Sequence, residues 1–243
     1  MRNYQNRLYR KYASSMQDNR SLNFDQEESI RWGKFYDIFL RGWLPSNKNV
    51  AILDVGCGSG KLLHFFLGKG FNNLHGVDIS PEQTALARQV CNNVSEDNVL
   101  NFLGTTNNCY DLITAVDIIE HLNKEEILQF LDACYVALRP GGRLIVQTPN
   151  SDSLWGMSVM YGDFTHETAF SPNSLKKLMS LVGFGAIIYR ETGPVVHSLF
   201  SLFRYLLWKI VRAGLIIWNL AETGNKGSGV YTRVFLITGE KII

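Results

Sequence analysis

Residues 51–60 read Ala-Ile-Leu-Asp-Val-Gly-Cys-Gly-Ser-Gly, and this stretch decides the fold. An apolar run ends at Asp54, and three glycines follow at alternate positions: Gly56, Gly58 and Gly60. Because glycine has no Cβ, the chain can turn sharply there, and a ligand can lie against its bare backbone. Residues 61–67 then predict a helix whose N-terminal amides face the turn, an arrangement that favours nucleotide binding.

The glycine spacing separates two kinds of nucleotide loop. The dinucleotide fingerprint G-x-G-x-x-G requires its third glycine at the position of Lys61, whereas this chain has that glycine one position earlier, at Gly60. A second predicted strand, residues 74–78, ends in Asp78, whose carboxylate is placed to accept both ribose hydroxyls of an adenosine. Ile79 follows, and we expect it to pack on the adenine face. The pattern therefore favours an adenosine ligand other than NAD.

Two further sequence motifs follow later in the chain. Residues 110–116 resemble the fourth strand, and residues 138–146 resemble the L-x-P-G-G-x-L turn into the fifth strand, of class I S-adenosylmethionine-dependent methyltransferases. Together with the loop and Asp78, four motifs of that family occur in family order across residues 50–148. The resemblance implies S-adenosylmethionine as the cofactor. It also implies these cofactor-binding residues: Asp54, Gly56, Cys57, Gly58, Gly60, Asp78, Ile79 and Asp117.

Alternating strand and helix patterns predict an α/β fold with a doubly wound, mostly parallel sheet. The predicted strands are 50–54, 74–78, 99–103, 110–116, 143–148, 184–190 and 230–238. The predicted helices include 26–44, 81–93, 124–138 and 172–182. The resemblance implies a Rossmann-like sheet of seven strands with the last strand antiparallel. We expect residues 1–48 to form an N-terminal helical cap and residues 49–243 to form the cofactor-binding domain.

Composition limits the classes of partner. The chain has 243 residues, 46% of them hydrophobic, and a formal net charge of +2, which is too small to favour nucleic acid as the main partner. Its four cysteines form no C-x-x-C pair and no zinc spacing, so we expect free thiols in a reducing cytosol. The polar, aromatic N-terminus does not predict a signal peptide. These features predict a cytoplasmic protein.

The loop after the fourth strand contains Asp117, Glu120 and His121. Three interpretations stay open for it. His121 would act as a general base, since imidazole titrates near neutral pH. The three residues would alternatively hold Mg²⁺ or a similar ion, because they resemble the E-x-x-E-H set of ubiquinone-type O-methyltransferases with Asp in the first place. In the third interpretation, Glu120 and His121 only order the loop. We expect no metal, and this set is the one that would hold an ion.

The loop after the fifth strand, residues 149–170, is long for such a connection. It contains the run Asp163-Phe164-Thr165-His166 before a helix start at Ser171-Pro172. This D-x-T-H run resembles methyltransferases of surface-polysaccharide and sugar-modification pathways. His166 is a second candidate base with Asp163 as its orienting partner, and the alternative is a histidine bonded only to the backbone.

An apolar insertion, about residues 191–229, separates the sixth and seventh predicted strands. Residues 195–220 combine leucine, phenylalanine and tryptophan with a narrow polar stripe at helical spacing. Arg204, Lys209 and Arg212 interrupt every apolar run before the length of a membrane span. Three interpretations stay open: a lid over the substrate cleft, a homodimer interface, or a peripheral helix on the inner face of a membrane.

These observations predict an S-adenosylmethionine-dependent O-methyltransferase. The expected acceptor is a sugar hydroxyl of a glycan or lipid-linked saccharide, with His121, His166 and Asp163 as catalytic residues. One alternative is a ubiquinone-type enzyme acting on a prenylated phenol or other small molecule. Another is a partner subunit that binds S-adenosylmethionine without catalysis.

Overall fold

From residue 52 onward, strands and helices alternate in the computed structural model, which describes residues 7–16 and 22–242. The strands are β1 (Ile52–Val55), β2 (Leu74–Asp78), β3 (Val94–Glu96), β4 (Tyr110–Val116), β5 (Leu138–Pro149), β6 (Phe184–Glu191) and β7 (Val234–Lys241). The α-helices are α1 (Gln26–Phe39), α2 (Lys61–Gly68), α3 (Pro81–Ala87), α4 (Val99–Gly104), α5 (Lys124–Ala137), α6 (Gly156–Met160), α7 (Pro172–Val182) and α8 (Leu199–Thr223). A 3₁₀ turn covers Ile119–His121, and a short π-helical segment covers Tyr12–Met16.

The strands form one sheet in the order β3-β2-β1-β4-β5-β7-β6. β7 pairs antiparallel with both β5 and β6, and the pairs from β3 through β5 are parallel. The predicted seven-stranded α/β sheet with its last strand antiparallel is therefore confirmed. β6 runs in the direction of β1, so the chain leaves β6 at the carboxyl edge, where open α/β sheets bind ligands.

Two apolar layers cover the two faces of the sheet. Adjacent strand residues point to opposite faces, so Leu53 packs in one layer and Ile52 in the other. The Leu53 layer includes apolar side chains of α5 and α7, and the Ile52 layer includes those of α1 and α2. Both residues are fully buried. Helices on both sides therefore hold the carboxyl edge of the sheet in place.

Some element boundaries differ from the sequence prediction. The predicted strand 99–103 is wrong: these residues lie in α4, because the Asn98 side chain caps a helix by accepting from the Leu100 N–H at 2.9 Å. The third strand is instead β3, which pairs with β2. A short apolar run fits strand and helix equally well, which explains the error.

Helix lengths were also overestimated. The helix that starts at Pro81 ends at Ala87 rather than near residue 93, and α1 ends at Phe39 rather than at residue 44. β7 begins four residues later than predicted. Of the predicted N-terminal cap, residues 1–6 and 17–21 lie outside the described residues, so the cap as a unit stays a prediction.

Candidate active site

Glycine is required in the loop between β1 and α2. Gly56, Gly58 and Gly60 have φ values of +66°, +51° and +87°, a region that disfavours side chains. A Cβ at Gly56 would lie 2.7 Å from Cδ1 of Ile118, and one at Gly60 would lie 3.0 Å from Cα of Ala87. The loop therefore holds its tight shape only with these residues.

Asp78 ends β2 beside this loop. Its carboxylate accepts the Gly58 N–H at 2.9 Å and the Ser80 N–H at 2.8 Å. Burial raises the pKa of the Asp78 carboxyl, and these backbone hydrogen bonds oppose the shift. Each carboxylate oxygen has two lone pairs, so both oxygens can also accept from a ligand hydroxyl. Asp78 thus ties the loop to β2 and keeps capacity for ribose hydroxyls.

A cavity of about 700 Å³ opens at the carboxyl edge of β1, β2, β4 and β5, within the size range of small-molecule sites. It is lined by the predicted cofactor residues Asp54, Gly56, Cys57, Gly58, Asp78, Ile79 and Asp117. Gly60 is the exception: it is the N-cap of α2 and packs against Ala87. The candidate catalytic residues His121, Asp163 and His166 line the same cavity, together with Glu120 of the possible metal set. β1 and β4 lie between β2 and β5, so the ends of β2 and β5 are about 14 Å apart along the sheet edge.

Asp54 lies on the floor of the cavity. Its Oδ1 accepts the hydroxyl of Thr114 at 2.7 Å. Burial raises the pKa of the Asp54 carboxyl to about 7, although the Thr114 hydrogen bond acts in the opposite direction. Burial therefore favours the protonated form of Asp54 more than in a solvent-exposed carboxyl.

Asp117 is held by residues that the sequence did not single out. It adopts φ +52°, which is unusual for a residue other than glycine. The Gln147 amide donates to both of its carboxylate oxygens at 3.1 Å, and the Tyr36 hydroxyl donates to Gln147 Oε1 at 2.6 Å. Burial raises the pKa of the Asp117 carboxyl. Only the fold brings α1 and β5 together here.

His121 ends a relay that starts at Asp163. Hydrogen bonds from Thr165 and the Tyr12 hydroxyl lower the pKa of Asp163, although burial alone would raise it. Asp163 is therefore a carboxylate that only accepts, and the Thr165 hydroxyl donates to it at 2.6 Å. Nδ1 of His121 lies 2.8 Å from the same hydroxyl oxygen and can donate a proton to it.

The environment of His121 keeps it neutral. Burial, followed by the nearby His166, lowers its pKa to about 4. The two imidazoles meet edge to face, with ring centroids 4.7 Å apart. Asp163, predicted to orient His166, has a different partner: its carboxylate contacts Thr165 and Tyr12 and acts on His121.

His166 faces a buried acid. Its Nδ1 donates to the backbone carbonyl of Met160 at 3.1 Å, which leaves the lone pair on Nε2. That Nε2 lies 3.9 Å from Oε1 of Glu120. The other oxygen of Glu120 accepts the Thr148 hydroxyl at 3.0 Å. Burial, followed by the negative charge of Asp117, raises the pKa of Glu120 well above its usual value.

Glu120, His121 and His166 form the group that could hold a metal, with one ligand atom of each within 4.8 Å of the others. The predicted set of Asp117, Glu120 and His121 is therefore changed, because Gln147 holds Asp117 and His166 takes its place. Among the described residues, the Oε1 atom of Glu120 has no hydrogen-bond partner. A buried oxygen of this kind, beside two imidazoles, fits a divalent ion and equally fits a shared proton.

The N-terminal part of the chain contributes to the same cavity. Tyr9, Tyr12 and Trp32 line it, and the Tyr12 hydroxyl donates to Asp163 at 2.9 Å. None of these three residues was among the predicted site residues. The run of tyrosines near the N-terminus was visible in the sequence, but nothing local indicated what it would cover.

A second cavity, of about 680 Å³, adjoins the first and shares Trp32 and Val234 with it. Polar residues such as Gln147 and Arg204 line part of it. Its aromatic side chains come from α1, from the N-cap of α6 and from α8: Trp32, Phe35, Tyr36, Phe39, Trp155 and Trp208. An apolar group attached to a molecule in the first cavity could extend into this one.

Comparison with known proteins gives a consistent set of matches. A family model described as "Methyltransferase domain" matches residues 31–187. The mitochondrial ubiquinone biosynthesis O-methyltransferase of Rattus norvegicus is 30% identical over 172 residues, which cover 63% of this chain and 48% of that protein. The chain spans about half the length of the first curated relatives that it matches.

Solved structures share the fold at low sequence identity. A SAM-dependent methyltransferase from Archaeoglobus fulgidus superposes with a TM-score of 0.64 at 19% identity, covering 86% of this chain and 94% of that one. A Haemonchus contortus phosphoethanolamine N-methyltransferase, in complex with S-adenosylhomocysteine, has a TM-score of 0.58 at 16% identity, covering 87% and 53%.

Proposed function

Since this chain belongs to the methyltransferase domain family, whose model matches residues 31–187, we propose that it methylates a hydroxyl oxygen on an acceptor with an apolar tail. The donor is S-adenosylmethionine, which supplies a methyl group on a positively charged sulfur. The observation that carries the proposal is the juxtaposition of His121, His166 and Glu120 in the cavity that contains the glycine loop.

The residues near β1 and β2 would hold the donor. Gly56 and Gly58 leave the backbone open at the cavity, and the Asp78 carboxylate would accept the ribose hydroxyls. Ile79, Asp97 and Asn98 border the same end and would surround the base. Binding there would direct the sulfonium toward the ends of β4 and β5.

Methyl transfer requires the acceptor oxygen to approach the methyl carbon in line with the breaking carbon–sulfur bond. The protein's main contribution is to hold the oxygen close and aligned. A hydroxyl also gives up its proton in or before the transition state, and a positioned base supplies that step.

We assign proton transfer to His166. The two imidazoles are too close for both to be positively charged without repulsion, and burial lowers the pKa of His121 to about 4. His166 has Glu120 3.9 Å from its Nε2, so the pair can hold and pass one proton. His121, fixed by Thr165 and Asp163, would position the acceptor hydroxyl.

Glu120, His121 and His166 also offer the donor atoms that zinc or manganese ions accept, which would lower the pKa of a bound hydroxyl. In the proposed reaction, His166 takes the proton without such an ion.

Two observations support an acceptor with an apolar tail, such as a prenylated phenol. The second cavity, which adjoins the first through Trp32 and Val234, would accept a hydrocarbon chain. Relatives include proteins named ubiquinone biosynthesis O-methyltransferase. A sugar hydroxyl remains a prediction that rests on the D-x-T-H run and finds no support in these comparisons.

Acceptor competition tests the proposal. The kcat/KM of methyl transfer should be at least tenfold higher for an alkylated catechol than for catechol itself, because the tail adds apolar contacts. A methyl glycoside with a matched tail provides the comparison for the sugar hydroxyl. Equal kcat/KM values with and without the tail would contradict the assignment of the second cavity.

A further inference from the structure

Helix α8 exposes its apolar face. Phe203, Ile210 and Ile217 are 63%, 70% and 66% exposed, and they lie on one side of the helix together with Leu199 and Leu206. Residues at these spacings form a continuous stripe along a helix. Soluble proteins rarely expose an apolar patch of more than a few hundred Å² unless it serves an interaction.

The polar side of α8 faces the protein instead. Ser201 is buried, and Nε of Arg212 donates to the Gly229 carbonyl at 2.9 Å. The Asn219 amide donates to the Tyr231 hydroxyl at 3.2 Å. These contacts hold the polar side of α8 against the domain. A surface helix normally packs its apolar side against the protein and exposes its polar side.

Charge identifies the kind of surface that this stripe would meet. Residues 199–229 contain four basic residues and one acidic residue: Arg204, Lys209, Arg212, Lys226 and Glu222. By helical spacing, Arg204 and Lys209 flank the exposed apolar stripe on its two sides, and the Lys209 ammonium also lies 3.8 Å from Oε1 of Glu191. Exposed Trp218 lies on the same helix. Cations and tryptophan beside an apolar face are typical of helices that lie in the interface of an anionic bilayer.

The position of α8 connects this surface to the site. The helix follows β6, which ends at the carboxyl edge of the sheet, and its Arg204 and Trp208 line the second cavity. We propose that the outward face of α8 docks on an anionic lipid surface and lets the apolar tail of the acceptor enter the second cavity from the bilayer. This inference rests on the proposed function. Among the described residues, no helix is long and apolar enough to span a bilayer.

Vesicle flotation of the full chain tests the proposal. We expect the protein to float with vesicles of phosphatidylcholine and phosphatidylglycerol, and to partition at least tenfold less onto phosphatidylcholine alone. The triple variant Phe203→Glu, Ile210→Glu, Ile217→Glu should lose at least tenfold in partitioning onto the mixed vesicles. Arg204→Gln should lose about fivefold on those vesicles only. Leu181→Glu, at a 74% exposed leucine of α7, is the matched control and should float like the wild type.

Other outcomes overturn the proposal. Wild-type protein that stays unbound, or a triple variant that floats normally, contradicts a lipid surface on α8. A concentration-dependent dimer in light scattering that the triple variant abolishes would assign the face to a second copy of the chain.

The lipid surface and the proposed function can be tested independently. S-adenosylhomocysteine binding and turnover of a short-tailed, soluble catechol should be unchanged in the triple variant, which would also show that it folds. Flotation without methyl transfer would refute the proposed function alone, and methyl transfer without flotation would refute the lipid surface alone.

Discussion

Nε2 of His166 lies 3.9 Å from Oε1 of Glu120, a buried oxygen without a hydrogen-bond partner among the described residues. The distance is too long for a direct hydrogen bond. A small shift of either side chain, or a proton shared between them, would bring the two atoms together, because the lone pair of His166 and the carboxyl of Glu120 face each other. The pair lies in the wall of the cavity that also contains Asp78.

Removing His166 should slow the chemical step. We expect His166→Ala to lower kcat by about 10² to 10⁴, because the acceptor hydroxyl loses its base. Glu120→Gln should lower kcat less, and its pH–rate profile should change. His64→Ala, at a histidine bonded to Ser29, is the control, with S-adenosylhomocysteine affinity measured for each variant. Full turnover in His166→Ala would refute the base assignment.

Asp78 should control affinity for the donor. We expect Asp78→Asn to weaken S-adenosylhomocysteine binding by about 10- to 100-fold in calorimetry, because hydrogen bonds to a charged group contribute about 1.5–3 kcal/mol. Asp132→Asn, at an exposed carboxylate of α5, should bind like the wild type. An unchanged Kd in Asp78→Asn would place the ribose elsewhere.

Asp54 should make the ligand-free protein less stable as pH rises. Its folded-state pKa of about 7 is above the ordinary value of 3.8, so the folded state binds more protons between these values. The free energy of unfolding therefore falls as pH increases through this window. The free energy of unfolding of Asp54→Asn, relative to that of wild type, should increase by on the order of 2 kcal/mol between pH 5 and pH 8, as measured by urea unfolding. A constant difference across this range would contradict the raised pKa.

Chelation distinguishes a histidine base from a metal ion bound at the same residues. Because His166 accepts the proton in the proposed reaction, dialysis against a chelator should leave kcat unchanged, with metal content followed by atomic emission. Loss of activity that zinc, manganese or magnesium ions restore would instead assign Glu120, His121 and His166 as ligands.

The donor end of the site could be predicted from the sequence because its determinants are local. Glycine spacing reports backbone conformation directly, and Asp78 follows its strand without interruption. Every predicted donor contact except Gly60 lines the cavity. Gly60 packs close to Ala87 instead. A glycine needed for close packing has the same sequence signature as one that faces a ligand.

The acceptor end depends on contacts between distant parts of the chain. Gln147 holds Asp117 only because β5 lies beside β4, and Tyr12 reaches Asp163 from 151 residues away. The proximity of His166 to Glu120 arises from the fold of the loop after β5. Spacing in the sequence carries no information on these distances, so the residue that Asp163 orients was predicted incorrectly.

The most direct test of the central claim is transfer of an isotope-labelled methyl group from S-adenosylmethionine to an alkylated catechol, with the product identified by mass spectrometry and NMR. The account predicts a labelled methyl ether on a catechol oxygen, formed by wild type and reduced at least 100-fold in His166→Ala. Label on carbon or nitrogen of a matched acceptor, or no transfer by protein that binds S-adenosylhomocysteine, would contradict it.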